Sequence, residues 1–424
     1  LPAEVTFPPG PKRRRSVRLQ RGDVADFLRR AQLKPGELYL ETVRYTRSLS
    51  DSTAVYGAYL VKPDDFRYLN ICSESELLEL LDQKNSSPQT VSLTSSAERG
   101  GIGVSVKGAT GSFKPGDTDL LGQTLLRPLW PHLQGHSALL MVHDGLLNRI
   151  SFAALQWEQK YLMDHFRLRH FSGSKAVGLE IPKPATKSEV LLAGGLNYGQ
   201  QNNMNPEALF KPGLSWDYLP GTRSEIEMLQ PIFSEAGYFP EMVTGAALTD
   251  SLSQGLGKYP IVHLATHGFY FDTSSADQLF DPFLSRDAMA LEPLFRSGLA
   301  ISGANNPPPA KLLNTQGFLM GYELANMDLR NCYLVSLSAC ETGLGDLRNN
   351  LGVDGLPRAL KIAGAKNLLI SLWKVPDAPT AEFMKRFYTN LFSGKRPALA
   401  LQDTQREMSS TYPASAWGAF ILVE

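Results

Sequence analysis

Two short stretches place reactive side chains where an apolar run ends. One reads His263-Leu264-Ala265-Thr266-His267-Gly268; the other is Tyr333–Cys340, followed by Glu341-Thr342-Gly343-Leu344-Gly345. The first puts an imidazole beside a glycine, the second a thiol beside a turn of small residues. A free thiol with pKa near ~8.5 is mostly protonated at neutral pH, and a neighbouring imidazole raises its thiolate fraction. Glycine beside the histidine lets a substrate backbone approach without a Cβ in the way. Backbone N–H groups at Gly268 and Cys340 would then hold an oxyanion, each such donor contributing ~10²–10³ in rate. Spacing alone does not bring the two run ends together. Taken singly, a cysteine at a strand end is more often an apolar filler and a histidine before glycine a turn residue.

Other chemistries fit less well. His263 and His267 are four apart, but the segment is β-rich and lacks the Glu of a helical H-E-x-x-H pair, so zinc is not expected and His263 reads as a packed residue behind the site. Gly194-Gly195 follows an apolar run without a phosphate-loop signature. Ser336 and Ser338 lack the G-x-S-x-G elbow. Cys72 and Cys332 sit in strand-like runs with no partner motif and read as core or near-core.

These residues need a scaffold. From residue 136 onward, short apolar runs alternate with helical patterns: Ala138–Val142, Val190–Ala193, Ile261–Ala265, Tyr333–Leu337, Leu368–Leu372 and Ala419–Val423. Continuous β-rich runs between helices predict a mostly parallel sheet covered on both faces. Glu225–Ile232 and Ala381–Leu391 read as crossover helices. In such sheets, sites form beyond the carboxyl ends of the strands. Further upstream, Val24, Phe27, Leu28 and Ala31 have helical spacing, Leu38–Arg47 and Ala54–Val61 read as strands, and Leu77–Leu81 as a short helix. Residues 85–117 and 303–310 read as loops.

Composition narrows the class. The 424 residues allow two or three domains or one large unit built from two halves. Forty-two Lys/Arg balance 42 Asp/Glu, which excludes a broadly basic nucleic-acid binder, and no apolar run is long enough to span a membrane. Three cysteines exclude a disulfide scaffold and a four-thiolate zinc site and fit a reducing cytoplasm. Residues 1–15, with the run Lys12-Arg13-Arg14-Arg15, read as a linker to an upstream region, and the start at Leu1 as a fragment or processed end.

From about residue 16 to 424 the sequence resembles the CHAT family, caspase-like cysteine peptidases related to separase and often carried behind tetratricopeptide repeats. The resemblance rests on pieces in family order. They are Asp144-Gly145-Leu146, Ile150-Ser151-Phe152, Leu219-Pro220-Gly221-Thr222 with Glu225-Ile226, Val262–Gly268 (VHLATHG), Gly317–Leu329 and Leu337–Gly343 (LSACETG). Gly352–Leu356, Ser371-Leu372-Trp373, Phe387-Tyr388 and Trp417–Phe420 complete the series. The resemblance implies a His267–Cys340 dyad and a caspase-like α/β/α sandwich. It divides the chain into an N-terminal pseudo-caspase half, 16–185, and a catalytic half, 186–424. It implies a cysteine endopeptidase acting on protein substrates without a metal or organic cofactor, regulated by an upstream repeat domain or partner protein. By analogy with separase-like enzymes, Asp377 would face a basic side chain, with Glu341, Asp346 and Asp354 as lesser candidates; the competing role for Asp377 is to cap a helix starting near Pro379–Thr380. The long stretch 271–310 reads as a loop lining or locking the substrate groove. Two other functions share these residues: a non-catalytic scaffold, and a thiol-dependent acyl transferase or deamidase.

Overall fold

The six apolar runs become six strands of one sheet, and five of them are buried at every position. Such burial needs cover on both faces, the reason the runs lack a polar alternate residue. The computed structural model describes residues 27–46, 53–63, 65–82, 118–185, 187–199, 216–249, 255–270, 293–306, 317–338 and 355–424.

Within these residues the strands are β1 (Glu37–Thr46), β2 (Ala54–Lys62), β3 (Asp65–Ser73), β4 (Ala138–Val142), β5 (Gln156–Trp157), β6 (Lys160–Tyr161), β7 (Arg167–His170) and β8 (Glu189–Leu196). They continue with β9 (Phe239–Gly245), β10 (Ile261–Leu264), β11 (Gly268–Tyr270), β12 (Ser297–Ala300), β13 (Phe318–Met320), β14 (Leu334–Leu337), β15 (Asn367–Ser371) and β16 (Phe420–Val423). The main sheet runs β3-β2-β1-β4-β7-β16-β15-β14-β10-β8-β9. Pairing is antiparallel for β1–β2, β2–β3 and β15–β16 and parallel at every other junction of the sheet.

Alternate residues feed opposite faces. Leu38, Leu40, Leu139 and Met141 join one apolar cluster, while Tyr39, Ala138, Leu140 and Val142 join another. The helices that matter here are α1 (Glu74–Asp82), α2 (Thr118–Leu126), α3 (Pro220–Glu235), α4 (Leu356–Ile362), α5 (Asp377–Phe392) and α6 (Pro397–Ser409). α3 packs on β8, β9 and α5, and α5 packs in turn on α6. Thus the two expected crossover helices exist and extend beyond the stretches read from sequence.

Three strands of the main sheet were not read in full from sequence, for physical reasons. β7 is Arg-Leu-Arg-His, yet it is internal, because Arg169 is matched by Glu424 at 2.7 and 2.9 Å. β9 carries Pro240, tolerated on an edge strand. β3, the opposite edge, is half-buried and partly charged. One expectation is corrected: the stretch 271–310 is not all loop, since its residues 297–300 form β12, the centre of a small antiparallel sheet ordered β11-β12-β13. Within 303–310, the described residues 303–306 form a half-buried turn; 307–310 and the expected loop 85–117 lie outside the described residues. Residues 1–15 lie outside them too.

Two imidazoles sit where β4, β7 and β16 end. His143 stacks on Phe152 at 4.0 Å and lies 5.4 Å from His170. Burial holds His143 well below the usual imidazole range and lowers His170 to about 4. Unfolded imidazoles protonate near ~6.5. Below that value the unfolded chain binds more protons than the folded one, so this pair removes stability as pH falls from ~6.5 towards the folded values. Both ring nitrogens of His143 lack a hydrogen-bond partner among the described residues, so phenylalanine leaves no orphaned partner. Denaturant titrations at pH 7 and pH 5 should show His143→Phe losing less stability on acidification than the parent; equal losses would contradict the assignment.

Candidate active site

β15, β14, β10 and β8 are neighbours and parallel, so their carboxyl ends share one edge of the sheet. β10 and β14 are in register, with Ile261 opposite Leu334 and Leu264 opposite Leu337. The β10–β14 pairing persists one residue past the strands, Ser338 N–H donating to the Leu264 carbonyl at 2.9 Å, and on the other side of β10 Ala265 N–H donates to the Ala193 carbonyl of β8 at 2.8 Å. His267 follows Leu264 by three residues, as Cys340 follows Leu337. Cys340, Glu341, Asp346 and Asp354 lie outside the described residues.

His267 is 2% exposed and held from several sides. Its ring lies 5.0 Å from Tyr198 and 5.3 Å from Trp216. Nε2 is 2.8 Å from the Asp217 backbone carbonyl. A carbonyl only accepts, so Nε2 carries the hydrogen, and in the neutral ring Nδ1 is the basic nitrogen. Nδ1 is buried and has no hydrogen-bond partner among the described residues. Burial lowers the His267 pKa; the Asp217 carbonyl opposes that shift, and the positive charge of Lys374 adds to it. The ring is therefore neutral at pH 7 and able to take a proton at Nδ1.

Gly268 begins β11. The His267 carbonyl accepts from Ala300 N–H on β12 at 2.9 Å. In a trans peptide the N–H points opposite to the C=O, so Gly268 N–H is directed away from β12, off the edge of the small sheet.

The segment Trp216–Leu219, which enters α3, forms one wall. Asn305 clamps the Trp216 backbone, accepting from its N–H at 2.9 Å and donating to its carbonyl at 2.9 Å. Gly195, at φ +61°, donates its N–H to Thr222 Oγ1 at 2.8 Å, and that hydroxyl donates to the Leu219 carbonyl at 2.7 Å. The Gly194-Gly195 pair thus serves close helix–strand packing, since a Cβ at Gly194 would stand 2.5 Å from the Thr222 carbonyl oxygen.

Asp377 meets the same wall. Helix α5 starts at Asp377, with Pro376 in the capping position. The alternative role of capping a helix from Pro379–Thr380 is therefore corrected: Asp377 belongs to the first turn itself. Its carboxylate rests on Gly221, where a Cβ would collide with Oδ2. Two helix N-termini meet there, a favourable place for negative charge. Hence His267 and Asp377 touch the two ends of one six-residue stretch, 216–221.

Asp217, Trp216, Tyr198 and Lys374 were not found by sequence reasoning. Asp217 acts through its backbone, which no side-chain pattern reveals. The aromatic pair carried no periodic signal, although Trp216 lies just ahead of the Leu219–Thr222 motif. His263 is fully buried, consistent with a packed residue behind the site. Cys72 is half-buried in β3; Cys332 is buried just ahead of β14, not within a strand, and bonds the Tyr259 carbonyl at 3.1 Å. Burial pushes both thiols up to about 12, which keeps them inert.

A profile of the CHAT domain matches residues 118–424. This chain belongs to the CHAT domain family. Tetratricopeptide repeat protein 28 of Homo sapiens is 25% identical over 313 residues, which cover 68% of this chain and 12% of that protein. The Mus musculus protein of the same name is 24% identical over the same share. This CHAT chain therefore spans 12% of the length of these curated relatives. Among solved structures, Saccharomyces cerevisiae separase, in a complex with securin, matches 94% of this chain and 30% of its own at 9% identity, with a TM-score of 0.51. The Arg-specific cysteine proteinase gingipain R matches 82% of this chain and 74% of its own at 10% identity, with a TM-score of 0.42. The CHAT chain thus has the caspase-like α/β fold with a large, mostly parallel sheet.

The contact between Gly221 and Asp377 is testable by stability alone. Gly221→Ala should cost about 1–3 kcal/mol, the usual range for overpacking. The cost should shrink when Asp377 is also changed to Ala, measured by denaturant midpoints of the four proteins. Equal costs in both backgrounds would place the clash elsewhere.

Proposed function

We propose that this CHAT chain is a cysteine endopeptidase whose nucleophile is Cys340 and whose acid–base group is His267. The observation that carries the proposal is the in-register pairing of β10 with β14, with the two residues equally far beyond the paired ends. The free Nδ1 lone pair supports it, because a base must present an unprotonated nitrogen to its thiol.

In this reading Nδ1 of His267 takes the Cys340 proton as sulfur attacks the peptide carbonyl. The same nitrogen then gives that proton to the departing amine, leaving an acyl-thioester on Cys340. Water, deprotonated at Nδ1, adds to the thioester, and the thiol leaves with the proton returned. Gly268 N–H and Cys340 N–H stabilise the oxyanion in both halves. The direction of Gly268 N–H off the edge of β11 favours that role. Apart from that water, every proton transfer and charge contact in these steps comes from side chains and backbone of this chain.

Asp377 is the proposed acceptor for a Lys or Arg side chain before the cut, with Glu341 and Asp354 as secondary carboxylates. Its place at the far end of the 216–221 wall supports the assignment. The similarity to tetratricopeptide-repeat proteins, of which this chain spans only a small part, supports regulation by a repeat region or partner; the sparse cysteine usage supports a reducing, cytoplasmic setting. Among the described residues no helix is long and apolar enough to cross a membrane.

Cys340→Ala should lower peptide cleavage by more than roughly 10⁴-fold while leaving the fold intact; full activity in that variant would end the peptidase reading. The mass of the products on a defined peptide separates hydrolysis from acyl transfer. Asp377→Asn should weaken the preference for a basic residue before the cut in a peptide library, and an unchanged profile would remove Asp377 from that role.

A further inference from the structure

Beneath the carboxyl edge, four polar side chains cross the boundary between the sheet and its helices, and the proposed reaction uses none of them. Glu225, His263, Ser336 and Tyr388 are each 0% exposed. His263 Nε2 is 2.9 Å from Glu225 Oε1, and its Nδ1 is 3.2 Å from the Tyr388 hydroxyl. Tyr388 in turn donates to Ser336 Oγ at 2.8 Å. Each residue comes from a different element: Glu225 from α3, His263 from β10, Tyr388 from α5 and Ser336 from β14. His263 and Ser336 are register partners.

A buried polar chain contributes little net stability, because apolar residues of similar volume are often as stabilising. What it adds is direction. Apolar side chains tolerate a small slide or rotation between helix and sheet, whereas this chain is satisfied in one arrangement only. Burial pushes the Tyr388 hydroxyl well above its ordinary range, so it remains a donor at neutral pH. With that proton on Ser336 Oγ, Tyr388 accepts from His263 Nδ1–H, and Nε2 of the same ring meets the Glu225 carboxyl.

The chain reaches the site along two routes. Glu225 lies four residues after Gly221, in the helix whose entry presents the Asp217 carbonyl to His267 Nε2. His263 lies four residues before His267 on the same strand run, while Ser336 precedes Ser338, whose N–H is held by the Leu264 carbonyl. A shift of α3 against β10 would carry Asp217 away from the imidazole and release the tautomer that leaves Nδ1 free.

We propose that Glu225, His263, Tyr388 and Ser336 are positioning residues that fix α3 against β10 and thereby hold His267 with its hydrogen on Nε2. The proposal rests on the peptidase reading for its kinetic readout, but its spectroscopic readout stands alone.

Tyr388→Phe in the full chain removes one oxygen and retains the ring that packs on Phe233 and Phe387. The expected result is a fall in kcat of roughly 10- to 100-fold, the scale of a small misplacement, with KM little changed. Nitrogen NMR of His267 should show the single Nε2–H tautomer of the parent giving way to a mixture. Glu225→Leu should behave alike, whereas Glu225→Gln, which keeps the shape and a hydrogen bond, should restore kcat to within ~3-fold of the parent. If Glu225→Leu fails to fold, Ser336→Ala carries the same comparison. Folded Tyr388→Phe and Ser336→Ala proteins with parental kcat and a parental His267 tautomer would overturn the proposal. A parent chain that cleaves no peptide would overturn only the peptidase reading, and the His267 nitrogen shifts would then decide the positioning role.

Discussion

The parallel pairing of β10 with β14 is the constraint on which the site depends. Parallel strands in register deliver their carboxyl ends to one edge at one height, so whatever follows each strand by the same number of residues starts from neighbouring positions. The hydrogen bond from Ser338 N–H to the Leu264 carbonyl carries that registration one step past the strands. A slip of one residue would turn His263 and Ser336 to the other face and strand their polar atoms in apolar packing.

Around that pairing, the wall of the site is made by close approach of backbones. Gly194, Gly195 and Gly221 leave space that a Cβ would fill, which lets the first turn of α3 lie against β8 and against the Asp377 carboxylate. The resulting stretch, Trp216 to Gly221, touches His267 through a backbone carbonyl and an aromatic ring, and Asp377 through a glycine. Electrostatics follows from packing: burial and the Lys374 charge keep the imidazole neutral, and the carbonyl selects which nitrogen is basic.

Much of the sheet was legible in the sequence because its central strands are apolar on both faces. β4, β10, β14, β15 and β16 announce themselves as unbroken runs, and α3 and α5 as amphipathic stretches between them. β7 did not, because its charges are satisfied by a residue 255 positions away, a pairing no local window contains. β9 did not, and β3 showed only as the strand-like run around Cys72, because edge strands are half-buried and tolerate proline and charge. Around the candidate site, His267 and Gly268 stood out in the sequence as residue types at a strand end, and Asp377 as a carboxylate several residues beyond one. Their partners were not: a backbone carbonyl at Asp217 leaves no trace in residue identity. Glu225 and Tyr388 belonged to the recognisable pieces of the family, yet only packing reveals that they meet at His263.

The chain carries its own internal control for the central claim. Cys72 and Cys332 are thiols raised by burial to about 12, whereas Cys340 is the thiol proposed to work with His267. The most direct measurement is site-resolved mass mapping after a limiting dose of a small thiol electrophile at neutral pH, in the parent chain and in His267→Ala. The account predicts fast modification confined to Cys340 in the parent and a much slower rate there without the imidazole. Equal Cys340 rates in the two proteins would contradict it.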